Sequence, residues 1–470
     1  MLAAAPASLR ILHLGLGAFH RAHQAAYLQR LIDSGDDRWS LASGNIRPGD
    51  DAGVAAMVRS AGRYTLETVT PAGERSYQRI SSIGTVVPWK SGLAELVALG
   101  SDASTRIVSF TVTEAGYSLD ADDKLDLGTA EIAADLQSAR AGLAGSTVYG
   151  ALCAILRERM RSDAGGVTLL CCDNLRHNGD RTRRALLQFI EAAGDMALLA
   201  WTRANTSSPN AMVDRITPRP TPQVVARVQA ATGIDDPASL MAESFIQWVI
   251  EDDFVNGRPA WEAAGVQMVG LVAPYEEAKI RLLNASHSCI AWAGTLAGYS
   301  HINQGTRDDE IRGFAFDYVT DDAIPVLSPS PIDLPAYRDV VLGRFGNPVI
   351  LDTNQRVAAD SFAKIPAFVA PTIRDRLGRG ESIDSTAMLP ALFLACLRRW
   401  HAGTLPYPYQ DQAMDPAIGH AICASADPVA ALARDPALWG HLAGDDKLLA
   451  ALGRAAARVE SFEKARRAAT

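Results

Sequence analysis

The sequence predicts an N-terminal doubly wound α/β domain followed by a mostly α-helical domain. In the first half of the chain, short β-rich runs alternate with helical patterns, which is typical of a parallel sheet connected by helices. Beyond about residue 274 the strand-like alternation fades, and helical patterns rich in Ala, Leu and Arg follow one another. A length of 470 residues exceeds what one compact core usually holds. We therefore expect one domain at 1–273 and a second at 274–470.

Five runs rich in β-forming residues are candidate strands. They are residues 10–16, 39–46, 64–70, 106–113 and 167–173. Several are apolar almost throughout, as expected for strands that are covered on both faces. Helical patterns at 20–35, 50–62 and 181–194 each end on a glycine suited to a C-terminal cap. Pro274 suits the first turn of the helix that begins the second domain.

The composition is that of a globular protein whose partner is a small molecule. The formal net charge of -8 is spread along the chain without a basic block, which argues against nucleic acid as a partner. No apolar run reaches the roughly 18 residues that a membrane span needs, so no membrane span is expected. The six cysteines lack CxxC pairs, which suits a reducing cytoplasm. We expect a cytoplasmic monomer or weak homodimer.

The first candidate strand leads into a glycine-rich turn, "GLGAFHRAH". Gly15 and Gly17 permit a tight turn and a close approach of the backbone to a pyrophosphate at the start of a helix, as in a Rossmann-like domain. His20 stands where a third glycine is common, so the helix and strand cannot pack as closely as usual. A glycine-rich turn without a ligand is the alternative. The candidate cofactor residues here are Gly15, Leu16, Gly17, Ala18, Phe19, His20 and Arg21.

The segment after the second candidate strand bears on which dinucleotide binds. Asp50, with Asp51 beside it, is a candidate for the ribose hydroxyls and favours NAD, whereas Arg47 could receive the 2′-phosphate of NADP. Both aspartates could instead cap the helix that follows. Hydrogen-bonding or structural roles, not metal ligation, are expected for the nearby histidines, which lack a carboxylate or thiolate close in sequence: His13, His20 and His23.

In the second domain, the helical pattern "KIRLLNASHS" at 279–288 carries three polar groups that can donate, accept or hold a proton. Taking Lys279 as zero on a helical wheel of ~100° per residue, Glu276 lies near ~60°, His287 near ~80° and Asn284 near ~140°. A lysine shielded from water loses part of its preference for the charged form and can act as a general base, while an amide can donate to an alkoxide. The group suits alcohol oxidation. A snorkelling lysine with a solvent-facing asparagine and histidine is the alternative.

Six motifs occur in one order along nearly the whole chain. They are "HLGLGAFHRAHQ" (13–24), "TVTEAGY" (111–117), "CDNLRHNG" (172–179), "NAMVDRITP" (210–218), "WVIEDDFVNGRPAWEAAGVQMV" (248–269) and "PYEEAKIRLLNASHS" (274–288). With these motifs the chain resembles the long-chain polyol dehydrogenases typified by mannitol 2-dehydrogenase, with fructuronate and tagaturonate reductases as relatives.

The resemblance implies a role for particular residues. Lys279 is the implied general base, with Asn284 and Asn174 as a pair that stabilises the oxyanion. The other implied roles are orientation of the substrate hydroxyls by His287, a proton route through Glu276, substrate contacts from Asp214, Arg356 and Lys364, and cofactor contacts from Thr113 and Glu114. No metal is implied, because lysine does the work that zinc does in other alcohol dehydrogenases.

The resemblance also implies a substrate. The stretches "GNIRPGD", "YTLETVTPAGERSYQ" and "VTEAGYSLD" imply NAD-dependent, reversible oxidation of D-arabinitol to D-xylulose, with D-mannitol to D-fructose as a second activity. A uronate reductase of the same fold and a non-catalytic NAD(H)-sensing protein are the alternatives. Two departures from the family pattern stand out: Ala359 and Asp360 where Asp and Gly are common, and Arg176 where proline is frequent.

Overall fold

The computed structural model describes residues 9–49, 51–120 and 123–468, apart from the side chains of residues 51, 114 and 115. The chain forms two compact units. The first unit comprises Met1–Thr70 and Glu74–Ala273, and the second comprises Pro71–Gly73 and Pro274–Thr470.

The strands of the described chain all lie in the first unit. They are β1 (Leu9–Leu14), β2 (Trp39–Gly44), β3 (Tyr64–Val69), β4 (Arg75–Ile80), β5 (Ile83–Val87), β6 (Thr105–Phe110), β7 (Val167–Cys171), β8 (Thr206–Ser207), β9 (Ala211–Asp214), β10 (Leu240–Glu243), β11 (Gln247–Glu251) and β12 (Gln267–Val269). Six of them form a parallel sheet in the order β5-β2-β1-β6-β7-β8. The strand order reverses between β1 and β6, as in doubly wound folds that bind nucleotides.

Helices cover both faces of this sheet, which confirms the predicted fold class. The helices of the first unit are α1 (Ala18–Ala22), α2 (Gln24–Asp33), α3 (Asp51–Arg59), α4 (Ala94–Ser101), α5 (Ala130–Arg140), α6 (Val148–Ser162), α7 (Asn178–Ala193), α8 (Met196–Asn205) and α9 (Pro222–Thr232). Successive residues of β1 belong to two different apolar clusters: Ile11 lies in one cluster and Leu12 lies in the other. Because successive side chains of a strand point to opposite faces, this arrangement explains why the strands are apolar almost throughout.

Three details differ from the expectation. The strand at 64–70 forms, but it pairs with β4 and β10 in a separate three-stranded sheet. The strand β5, which no run of the sequence analysis included, forms one edge of the main sheet. The helix expected across 20–35 is two helices, because the chain bends at His23, whose Nε2 donates to the Gln247 carbonyl at 2.9 Å.

The second unit is helical, as expected. Its helices are α10 (Ala273–Ala278), α11 (Ala285–Leu296), α12 (Ile302–Arg307), α13 (Asp309–Asp317), α14 (Ile324–Leu327), α15 (Leu334–Phe345), α16 (Asn354–Ala358), α17 (Ser361–Lys364), α18 (Ala370–Gly378), α19 (Asp384–His401), α20 (Pro416–Ala424), α21 (Pro428–Ala433), α22 (Pro436–Trp439) and α23 (Asp446–Ala468). Three π-helical segments, at Lys279–Asn284, Tyr318–Ala323 and Ile365–Val369, interrupt this pattern, and the first packs against the other two. No helix among the described residues is both long enough and apolar enough to cross a membrane.

Candidate active site

The turn after β1 approaches the end of β6 too closely for any side chain at Gly15. The residue has φ +118°, and a Cβ atom there would lie 2.4 Å from the Thr111 carbonyl oxygen. By contrast, a Cβ at Gly17 would meet nothing within 4 Å. The turn lies where the strand order reverses, which is the usual ligand site of an open α/β sheet. The residues of this turn therefore fit a dinucleotide.

A groove of about 390 Å³ lies next to the carboxyl end of β2. Its lining residues are Asn45, Gly49, Val54, Ala55, Val58, Arg59, Pro88 and Trp89. The Asn45 side-chain oxygen accepts from the Leu16 N–H at 2.7 Å, which joins the groove to the glycine turn. Val58 is 43% exposed and Trp89 38% exposed. Exposed apolar side chains in a groove suit a flat aromatic ligand such as an adenine ring.

The residues expected to distinguish NAD from NADP follow β2. Asp50 lies outside the described residues, and α3 begins at the next residue. Arg47 pairs with Glu131 at 2.6 Å and donates from Nε to the Ser146 carbonyl at 3.0 Å. Its guanidinium is thus engaged by the protein, but the pair is exposed and such pairs are weak. The preference for NAD stays a prediction.

His13 on β1 and His20 on α1 form a buried stack, with ring centroids 3.6 Å apart and planes 6° from parallel. His13 Nδ1 lies 2.8 Å from the Ser109 hydroxyl, and His20 Nε2 lies 2.9 Å from the Ser43 hydroxyl. Burial lowers the pKa of His13 to about 3 and holds the pKa of His20 well below its usual value. Both rings are therefore neutral at physiological pH. The predicted hydrogen-bonding role of His13 and His20 is confirmed.

The side chain of Arg21 is turned into the interior of the first unit. It is 5% exposed, donates to the Ala238 carbonyl at 2.7 Å and lies over the Tyr64 ring at 5.5 Å. Ala18 and Phe19 are half-buried at the start of α1. The Arg21 side chain therefore supports the fold of the first unit, and the cofactor contacts of Ala18, Phe19 and Arg21 stay a prediction.

The segment after β6 holds Thr113 in a strained conformation. Thr113 has φ +67°, in the left-handed region that β-branched residues avoid, and such strain typically costs about 1–3 kcal/mol. The Asp173 carboxylate accepts from the N–H groups of Val112 at 2.7 Å and Thr113 at 3.2 Å, and from the Tyr117 hydroxyl at 2.6 Å. Burial raises the pKa of Asp173, while these hydrogen bonds partly oppose that rise. Glu114 begins the short helical turn that follows.

Asn174 lies exposed on the turn between β7 and α7. Four residues later, Asn178 is fully buried and makes a two-way hydrogen bond with Ala211 of β9, donating at 2.7 Å and accepting at 2.9 Å. Asp214 ends β9 and is 6% exposed. The departure at Arg176 leaves a half-buried cation on the same turn as Asn174. The first unit thus brings Gly15, Thr113 and Asn174 to the carboxyl ends of the neighbouring strands β1, β6 and β7, whereas Asp214 ends β9 in a separate sheet.

In the second unit, Lys279 is 6% exposed and Glu276 is 5% exposed. The alternative of a snorkelling lysine is therefore wrong, because that arrangement leaves the ammonium group in water. Lys279 begins the π-helical segment that ends at Asn284, where the Ala285 N–H donates to the carbonyl of Ile280, five residues earlier.

The π-helical segment changes the predicted face of the helix. A π turn takes up one residue more than an α turn, so at ~100° per residue the positions from Asn284 onward are set back by ~100°. Relative to Lys279 at zero, this moves Asn284 to about 40° and His287 to about -20°. The lysine, asparagine and histidine thus share a narrower face than a regular α-helix would give them. π-helical segments of this kind are frequent at functional sites.

His287 is half-buried and lies between an aromatic ring and a carboxylate. Its ring stacks on Phe345 at 4.5 Å, and its Nε2 lies 3.4 Å from Asp352, which also pairs with Arg356. Burial lowers the pKa of His287, although Asp352 acts in the opposite direction. Burial alone would raise the pKa of Asp352, but the hydrogen bonds from His287 and Arg356 outweigh it and hold that pKa well below its usual range. In the neutral form of His287, the nitrogen beside Asp352, Nε2, would be the donor, and Nδ1 would be an acceptor.

Lys364 is half-buried, eight residues after Arg356. Burial lowers its pKa to about 8, and its Nζ donates to the Val357 carbonyl at 2.5 Å. Asp360, which stands where glycine is common, has φ +54°, so the backbone keeps a conformation that suits glycine. The carboxylate of Asp360 accepts from the Gln412 N–H at 2.8 Å. The departure from the family pattern therefore leaves a left-handed turn in place before Lys364.

The sequence analysis did not single out Asn45, Asp173 or Asp352, although each had a signal. Asn45 and Asp173 lie at the carboxyl ends of the predicted strands 39–46 and 167–173, and Asp352 stands four residues before Arg356, the spacing of a helical ion pair. Within the described parts of the chain, no group of three or more His, Cys, Asp or Glu side chains is arranged to hold a metal ion.

Comparison with known families covers both units. Residues 9–263 match the mannitol dehydrogenase Rossmann domain, and residues 271–460 match the mannitol dehydrogenase C-terminal domain.

Individual proteins match over nearly the full chain. A D-arabinitol 4-dehydrogenase of Ralstonia nicotianae is 58% identical over 97% of this chain and 98% of its own length. A D-arabinitol 4-dehydrogenase of Klebsiella pneumoniae is 52% identical over 95% of this chain and 97% of its own. Among solved structures, the Pseudomonas fluorescens mannitol 2-dehydrogenase ternary complex with NAD and D-mannitol matches with a TM-score of 0.82 and 32% identity, covering 98% of this chain and 94% of that chain.

The buried histidine stack predicts how stability depends on pH. Below its ordinary pKa of 6.5, unfolded His13 binds a proton that the folded form, with a pKa of about 3, does not bind. Stability should therefore fall as the pH is lowered from about 6.5 towards 3, with the unfolding equilibrium constant rising by up to about tenfold per pH unit for the proton that folded His13 excludes. His13→Gln should make the slope shallower in urea unfolding measured across this range. His441→Gln, on an exposed turn, should keep the wild-type slope; a His13→Gln slope equal to wild type would contradict the assignment.

Proposed function

The chain belongs to the mannitol dehydrogenase family, and on that premise we propose that it is an NAD-dependent polyol dehydrogenase that oxidises D-arabinitol to D-xylulose reversibly. The substrate is proposed because relatives 58% and 52% identical over nearly their full lengths are D-arabinitol 4-dehydrogenases. NAD is proposed because the glycine turn and groove of the first unit fit a dinucleotide, and because a structural relative binds NAD and D-mannitol.

One observation carries the chemistry: Lys279 is buried, together with Glu276, beside Asn284 and His287 on a π-helical face. Desolvation disfavours the charged form of an amine. A lysine must be in its neutral form in order to accept a proton. In the proposed reaction Lys279 takes the proton of the substrate hydroxyl, and Glu276 relays that proton onward. NAD, when bound, accepts the hydride that leaves the carbon of the same alcohol.

The remaining proposed roles are those that the resemblance to the family implies, and each is compatible with what the side chain can donate or accept. The amides of Asn284 and Asn174 donate to the alcohol oxygen as negative charge develops on it. His287, held by Asp352, presents a ring nitrogen to a second hydroxyl of the polyol. The cations Arg356 and Lys364, together with Asp214, contact the rest of the substrate. In the first unit, Thr113, Glu114 and the backbone of Gly15–Arg21 contact the cofactor, and Asp50 contacts its ribose.

A panel of substrates with both cofactors tests the proposal. Oxidation of D-arabinitol with NAD should give the highest kcat/KM, with slower oxidation of D-mannitol and weaker use of NADP. Faster turnover of D-mannitol would indicate a mannitol 2-dehydrogenase. Reduction of fructuronate in preference to any polyol oxidation would indicate a uronate reductase. Tight NADH binding with no turnover of any of these compounds would favour the sensing protein.

Replacing the proposed base should remove most of the activity. We expect Lys279→Ala to lower kcat/KM for D-arabinitol by roughly a thousandfold, within the range typical of a general base. Small primary amines added to the assay should restore part of the rate, because they can occupy the space of the missing side chain. Wild-type kcat/KM should rise with pH as the base loses its proton.

Two comparisons make this prediction specific. Lys447→Ala, on the first turn of α23, should keep wild-type activity. Lys364→Met should mainly raise KM for the polyol and should not respond to amines. Normal turnover of Lys279→Ala, or rescue of Lys364→Met but not of Lys279→Ala, would show that Lys279 is not the base.

The side-chain amides of Asn284 and Asn174 should each stabilise the transition state. Removing one preorganised donor to a developing oxyanion typically costs about 2.7–4 kcal/mol, so Asn284→Ala and Asn174→Ala should each lower kcat by roughly a hundredfold or more. If both act on one oxygen, the double variant should lose less than the product of the single losses, since such effects are not additive. Fully multiplicative losses in steady-state kinetics would argue against a shared oxygen.

A further inference from the structure

Thr113 is held in the left-handed region at an exposed position beside the switch point of the main sheet. Its φ is +67°, and it follows β6, the strand next to the glycine turn. A β-branched residue adopts this conformation only where its surroundings impose it. The neighbouring contacts therefore determine the path of this backbone.

The Asp173 carboxylate supplies those contacts. One oxygen accepts from the Val112 N–H at 2.7 Å and from the Tyr117 hydroxyl at 2.6 Å, while the other accepts from the Thr113 N–H at 3.2 Å. Two consecutive N–H groups bound to one carboxylate fix the direction of the peptide between them. Tyr117 is fully buried, so it holds the carboxylate in place.

Asp173, which accepts the hydrogen bond from the Thr113 N–H, directly precedes Asn174 in the chain. Behind Asp173, the buried amide of Asn178 donates to the Asp173 carbonyl at 3.1 Å and to the Ala211 carbonyl at 2.7 Å. The backbone of Asp173 is therefore fixed from the side of β9, and its side chain is fixed from the side of β6. Asn174 is exposed and directly follows this fixed residue.

We propose that Asp173 is a positioning residue that holds Thr113 in its left-handed conformation at the cofactor crevice and fixes Asn174 beside it. The inference rests on the proposed function in that the crevice is taken to bind NAD(H). Asp173 acts through the backbone of its neighbours, since its carboxylate is occupied by three donors. An amide in its place keeps only one acceptor oxygen, so its NH2 group must face at least one donor that needs an acceptor.

The test is a double-mutant cycle read out by NADH binding. Asp173→Asn should raise the Kd for NADH, measured by NADH fluorescence, by about tenfold or more, the factor expected when a strained backbone loses its support. Thr113→Gly removes the need for that support, because glycine adopts the left-handed region without strain. Asp173→Asn combined with Thr113→Gly should therefore bind NADH within about threefold of Thr113→Gly alone.

Control variants separate positioning from general destabilisation. Asp180→Asn removes a carboxylate from the same segment, on α7, and should change the Kd by less than about twofold. A drop in thermal midpoint for Asp173→Asn with an unchanged Kd would overturn the proposal, since the residue would then be merely structural. The proposal would also be overturned if Asp173→Asn cost the same affinity in the wild-type background as in the Thr113→Gly background.

The readout also distinguishes this inference from the proposed function. NADH binding does not depend on which polyol is the substrate, so an error in the substrate leaves the cycle decisive. If D-arabinitol is oxidised, kcat should also fall in Asp173→Asn through Asn174, and Thr113→Gly should restore the KM for NAD but not this kcat. A wild-type protein that binds no NADH would overturn the proposed function and this inference together.

Discussion

The close approach of the glycine turn to the end of β6 is the constraint on which the first unit depends. At Gly15 there is no room for a Cβ atom beside the Thr111 carbonyl, and the backbone is in a region that side chains avoid. The parallel sheet sets this distance, because β1 and β6 are paired neighbours whose register is regular from Ile11 opposite Ile107 to Leu14 opposite Phe110. The turn, the stacked histidines and the segment held by Asp173 are all arranged around this one contact.

A related constraint shapes the second unit, where polar groups lie in an apolar helix bundle. Buried polar groups need partners, and the π-helical segment at Lys279–Asn284 receives them from neighbouring helices. Tyr318 donates to the Arg281 carbonyl at 2.8 Å, and the Arg281 side chain pairs with Glu277 and Asp375. These contacts stabilise a local irregularity that brings Lys279, Asn284 and His287 onto one narrow face.

Charged side chains near the proposed substrate site form ion pairs and hydrogen bonds with neighbouring groups. Asp352 lies between His287 and Arg356, so a single carboxylate orients an imidazole and neutralises a cation. Lys364 keeps its position through the Val357 carbonyl and a left-handed turn at Asp360, where an aspartate serves in place of glycine. Such arrangements fix side chains before a substrate binds, which lowers the entropy cost of binding.

The sequence alone determined the fold class, and it predicted the boundary near residue 274, the glycine turn after the first strand and the polar group on the helix that carries Lys279, because these depend on local periodicity and on residue chemistry. Only the tertiary structure decided that the strand at 64–70 belongs to a separate sheet and that the helix bends at His23. It also decided that a π turn brings Asn284 and His287 closer to the face of Lys279. It also decided which groups Asp173 and Asp352 contact, because their partners Val112 and His287 are about 60 residues away along the chain. Periodicity reports which face of an element is apolar, but hydrogen bonds between distant segments depend on how those elements pack, and no local pattern records that.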